Sequence, residues 1–144
     1  MAPMRRLPPL LVGVAIALTA CGGGSSDRPT PSGSPLASGA LGVVTPDAAE
    51  RTVTALCDLR AIRDPDAANA TFFDDAHQEL HVIAGATTDV DRGAAGALLV
   101  TMQRVEADLE ATSLPANFGA DVEALRAATV RALRAVGLGV PGCP

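Results

Sequence analysis

The chain has 144 residues, eleven arginines, no lysine, sixteen acids and a formal net charge of −5. That length holds one domain with a modest core, once any N-terminal extension is set aside. The missing lysine excludes Schiff-base chemistry and the lysine of a phosphate-binding loop. An acidic chain with neither a basic cluster nor an aromatic platform is excluded as a nucleic-acid binder.

Met1 to Ala20 reads as a secretory leader. Arg5 and Arg6 form a positive start, and an apolar run from Leu10 to Ala20 follows the Pro8-Pro9 pair. A run of about eleven residues is too short for a hydrocarbon core that needs about 20, so it is a signal segment and not a membrane helix. The run ends in Leu18-Thr19-Ala20-Cys21, followed by Gly22. This block resembles the lipobox of bacterial lipoproteins, where a branched apolar residue and two small ones precede the cysteine that accepts a diacylglyceryl group. The resemblance covers the leader only. It implies cleavage before Cys21, lipid on that thiol, and a protein held on the extracytoplasmic face of the cell membrane. Removal of Arg5 and Arg6 leaves nine arginines against sixteen acids, a net charge of −7. Lipid, and not charge, must therefore hold the chain to an anionic surface. The alanine- and arginine-rich composition reads as codon usage of a high-GC genome, and the outline is similar to small helical lipoproteins of such bacteria.

Residues 21–42 are Gly, Ser and Pro with little apolar content, the composition of a disordered tether reaching about 25 Å. Residues 43–144 carry the folded domain, and their punctuation is helical. Thr45-Pro46-Asp47 and Asp64-Pro65-Asp66 each supply an N-cap, a proline at the first helical position and an acid in the first turn. The first start predicts a helix to about Ile62, the second a helix to about Ala84. Thr88 with Asp91 resembles a capping box for a third helix, whose apolar stripe includes Val90, Leu98, Val105 and Leu109. After Leu114-Pro115, Val122, Leu125, Leu133 and Val136 mark a fourth helix closed by Gly137. No useful stretch alternates with period two. The expected fold is all-α, a small antiparallel four-helix bundle.

With Cys21 lipidated, Cys57 and Cys143 remain as an even pair in an oxidising compartment. In an up-and-down bundle, the tail after Gly137 returns toward the first helix, so a Cys57–Cys143 disulfide is expected. No C-x-x-C spacing makes it a redox pair.

No nucleophile motif is present. The only serine of the folded region is Ser113, and the carboxylate pairs, such as Asp74-Asp75, read as solvated helix surface; the domain is read as non-enzymatic. The segment Phe73-Asp74-Asp75-Ala76-His77-Gln78-Glu79-Leu80-His81 holds both histidines, at the i, i+4 spacing that lets two imidazoles meet one divalent metal ion. Asp74, three residues before His77, or an acid from a neighbouring helix would complete the set. Glu79 sits roughly 160° from His81 about the helix axis, so this is not an HExxH metalloprotease motif. The same histidines can also serve as edge-of-core residues that cover apolar surface and bond a nearby acid. The sequence thus gives a lipid-anchored binding module for an envelope protein or small ligand, with divalent-metal binding through His77, His81 and Asp74 as the alternative.

Overall fold

The structure is a computed structural model that describes residues 37–39, 41–139 and 142–143. The expected leader, the expected lipidation site Cys21 and the expected tether as far as residue 36 lie outside the described residues. The domain is all-α, with four helical runs and one small hairpin. In chain order these are β1 (Ala37–Gly39), β2 (Gly42–Val44), α1 (Pro46–Leu59), α2 (Pro65–Phe72), a π-helical turn (Phe73–His77), α3 (Gln78–Thr88), α4 (Arg92–Leu109) and α5 (Phe118–Ala135). The α2, π-turn and α3 segments follow one another without a break.

The two proline starts work as their chemistry requires. Thr45 Oγ1 accepts from the Ala48 amide at 3.1 Å, and Asp64 Oδ1 from the Ala67 amide at 2.8 Å. Each bond satisfies an amide that has no partner within the helix. The third start differs from expectation. Thr88 is the last residue of α3, and Asp91 alone caps α4, accepting from the Ala94 amide at 2.8 Å. Val90 lies between the helices and is exposed. Gly137 ends α5 as expected, with a positive φ of 80°. Its amide reaches Arg134 O, and the Leu138 amide reaches Leu133 O at 2.9 Å, a Schellman closure that buries Leu138.

The helix after Pro65 reads α–π–α because of its spacing. Ala68, Phe72, Ala76, Leu80 and Ala84 are all buried, each four residues after the last. In a uniform α-helix each such step overshoots a full turn by about 40°, so the five would fan through about 160°. One extra residue held in an i→i+5 turn removes roughly 100° of that drift. The remaining arc of about 60° fits within the apolar stripe of a core-facing helix.

The core closes around Leu56, Leu59, Phe72, Leu80, Ile83, Leu98, Met102, Leu125 and Leu133. Packed pairs include α4 with α3 and α5, and α1 with α5 and the π turn. Three buried threonines keep this interior satisfied: Thr52, Thr87 and Thr129 each donate to the carbonyl four residues earlier, at 2.8 to 2.9 Å. Cys57, on α1, is joined to Cys143 with Cα atoms 5.6 Å apart, as the cysteine count anticipates.

The hairpin is a departure from the sequence reading. The stretch expected as tether supplies β1 and the first residue of β2, which pair antiparallel in the register Ala37↔Val44 and Gly39↔Gly42, and both strands lie on α3. The contact is close enough to need glycine: a Cβ at Gly39 would stand 2.5 Å from the Ala86 amide nitrogen. Low side-chain bulk here serves packing.

At α4, one Asp108 carboxylate oxygen is enclosed with no hydrogen-bond partner. Burial, then the neighbouring Asp121 carboxylate, hold the Asp108 carboxyl above the usual range. A carboxyl whose folded value is raised favours the fold at low pH and loses that contribution as pH rises through the folded value. Asp108→Asn is therefore expected to raise the melting temperature at pH 7 by about 3 °C, the scale of about 0.5 kcal/mol in a domain this size. The gain should shrink as pH falls toward 4. A lower melting point at pH 7 would count against this account.

Candidate metal-binding site

His77 closes the π turn and His81 follows one turn into α3. Their rings meet edge to face, with centroids 4.8 Å apart and planes at 88°. Phe73 and Phe72 also lie against the His77 ring, at centroid distances of 5.0 and 5.5 Å. Phe72 is five residues before His77, a contact that the wide turn makes available. The imidazole is thus held on several sides by rings, which limits its rotamers.

Its polar partner comes from α4. His77 Nε2–H donates to Glu106 Oε1 at 2.9 Å, and the two side chains are 26% and 28% exposed. One ligand atom each from His77, His81 and Glu106 all lie within 4.8 Å of one another. Among the described residues, this is the one group of three or more His, Cys, Asp and Glu side chains with that geometry. Ligands of a tetrahedral zinc ion stand roughly 3.3 Å apart, given zinc–nitrogen bonds of about 2.0–2.1 Å. The three donors would have to draw in by about 1.5 Å at most. Half-buried side chains can do that by rotation, without moving a helix.

Asp74 is not part of this group. It is exposed and lines an open groove of about 720 Å³ with Asp47, Glu50, Arg51 and Asp58 of α1. The reason is the π turn between Asp74 and His77. A wider turn holds more residues, so three residues cover less of its circumference, and Asp74 falls further from the His77 direction than α-helical spacing implies. Glu106 takes the place that the sequence left to an acid from a neighbouring helix. Nothing local in the sequence singles it out; it sits 29 residues from His77 and arrives through the packing of α3 on α4.

The groove beside Asp74 is acid-rich but chemically ordinary. Glu79, in a smaller neighbouring pocket that shares Arg51, Asp74 and Asp75, has one enclosed carboxylate oxygen, and burial raises its pKa while Arg51 works in the opposite direction. On α5, Arg126 pairs with Glu123 at 2.6 Å as its i, i+3 spacing anticipates, and Arg60 joins the same carboxylate at 3.2 Å. These two guanidiniums hold Glu123 below the usual carboxylate range, chiefly through the Arg126 hydrogen bond. Arg131 and Arg134 are exposed. Such surface pairs contribute little to stability.

Comparison with protein-family models, with curated proteins and with solved structures finds no match.

Proposed function

We propose that this protein is an exported, lipid-anchored helical module that binds a divalent transition-metal ion through His77, His81 and Glu106. The observation that carries the reading is the convergence of three ligand atoms from two packed helical runs within 4.8 Å. Two imidazoles and a carboxylate suit Zn²⁺, Cu²⁺ or Ni²⁺ better than Mg²⁺ or Ca²⁺, which take oxygen donors. Export rests on the leader and its Leu18-Thr19-Ala20-Cys21 block, and the Cys57–Cys143 bond fits an oxidising compartment. The role is capture of metal outside the cytoplasm, with the acyl chains keeping the domain at the membrane.

The test is metal uptake by the mature protein, purified from membranes in detergent and titrated calorimetrically with each ion. Wild type is expected to take up one ion per chain and to melt higher when loaded, because the unfolded chain does not assemble the donors. His77→Ala/His81→Ala should abolish uptake. Glu106→Gln should weaken it about tenfold or more, equal to about 1.4 kcal/mol. Uptake unchanged in the double variant, or none in wild type, would leave these histidines as edge-of-core residues.

A further inference from the structure

If the metal reading holds, the donor count carries a second step. We infer that the His77–His81–Glu106 centre leaves one coordination position open to exchange, where bound water gives way to an incoming neutral imidazole, a donor that suits the same ions.

The argument begins with supply. Among the described residues, three His, Cys, Asp or Glu side chains converge here and no fourth joins them. Outside the described residues, the sequence holds only two side chains of these types, Cys21 and Asp27. Cys21 is assigned to lipid, which removes its thiolate. Zinc-like ions take at least four ligands, and a permanent structural site supplies all four from the protein. A site with three protein ligands keeps its last position for water or an arriving group.

The fold points the same way. A structural zinc site contributes the folding energy of its domain. Here the helices close over their own apolar core and the Cys57–Cys143 bond ties the tail to α1, with no donor of the cluster involved. His77 already has Glu106 as its partner, so its polar nitrogen is satisfied without an ion. The side chains of both are about a quarter exposed, so an ion between them stands at the surface, where an outside ligand can reach it. Entry is ligand exchange: the bond from metal to water breaks as the bond to the incoming neutral imidazole nitrogen forms. Water leaves intact, and no electron changes owner. An ion held this way can be handed on.

The experiment uses the mature protein in detergent, loaded with one equivalent of Co²⁺, whose visible spectrum reports its ligands. Free imidazole is the probe. The expected result is a spectral change that saturates at one imidazole per cobalt, with the cobalt still on the protein after desalting. Glu106→Gln, which withdraws one protein donor, should take up two. Imidazole should also speed transfer of cobalt to an external chelator severalfold. No cobalt bound by wild type removes both readings. Cobalt that binds but keeps its spectrum in imidazole removes this inference alone, whether a second copy, Asp27 or another group fills the position. Asp27→Asn and the mass of the loaded species identify which.

Discussion

Replacing Cys21 with alanine is expected to abolish palmitate labelling and to leave the precursor uncut. The thiol is the nucleophile that the resemblance to bacterial lipoproteins assigns to lipid attachment, and no other side chain in Leu18-Thr19-Ala20-Cys21 can take its place. On the proposed reading, the anchor is the diacylglyceryl group itself. A single acyl chain binds a membrane only marginally, whereas two together hold stably. The leader alone is too short to span the bilayer. No described helix is long and apolar enough to cross a membrane. Wild type should label in cells and sediment with membranes. Cys21→Ala should carry no label and run larger by the mass of residues 1–20. A variant that still labels efficiently would overturn the lipid-anchor assignment, and with it the location given to the metal site.

The parts of this molecule that were legible in the sequence are those whose cause lies within three or four residues. Thr45 and Asp64 cap helices because each side chain meets an amide three positions on. Gly137 ends α5 because it reaches a positive φ at no cost to a side chain. The pairing of Cys57 with Cys143 also followed, since setting Cys21 aside for lipid leaves one partner for each. The π turn was hidden in plain spacing. A strict step of four at Ala68, Phe72, Ala76, Leu80 and Ala84, with few returns at three, reads as an amphipathic stripe until its drift is added up. Its consequence for Asp74 was hidden with it. Glu106 was beyond reach for a different reason. Many acids lie on polar helix faces, and only the packing of α3 against α4 selects one of them. The hairpin misled through composition. Glycine and serine signal a solvated tether, but they also let two backbones approach, and at Gly39 the second effect wins.

Loss of the Cys57–Cys143 bond should be the largest single blow to stability. The bond closes a loop across a sequence separation of 86 residues. On the chain-entropy account, a crosslink of that span removes about 4.5 kcal/mol of freedom from the unfolded chain. A domain of this size is expected to hold only about 5–15 kcal/mol in all. Its core is also thin in area, because many of its buried positions are alanine, among them Ala49, Ala68, Ala76, Ala84 and Ala132. Cys57→Ser is therefore expected to lower the melting temperature of the protein by about 20 °C. Cys57→Ser/Cys143→Ser should melt at nearly the same temperature, since one missing thiol already opens the loop. Intact mass should show wild type about two mass units below its reduced form, as loss of two hydrogens requires. The proposed metal site provides the control. His77, His81 and Glu106 sit on the π turn, α3 and α4, whereas the bond joins α1 to the tail after α5. Below its lowered melting point, Cys57→Ser should still bind metal with wild-type affinity. Equal melting of wild type and Cys57→Ser would deny the bond its stabilising role. A folded Cys57→Ser variant that no longer takes up metal would instead make the bond a determinant of the site, and the fold would then hold its donors less independently than the packing of α3 on α4 implies.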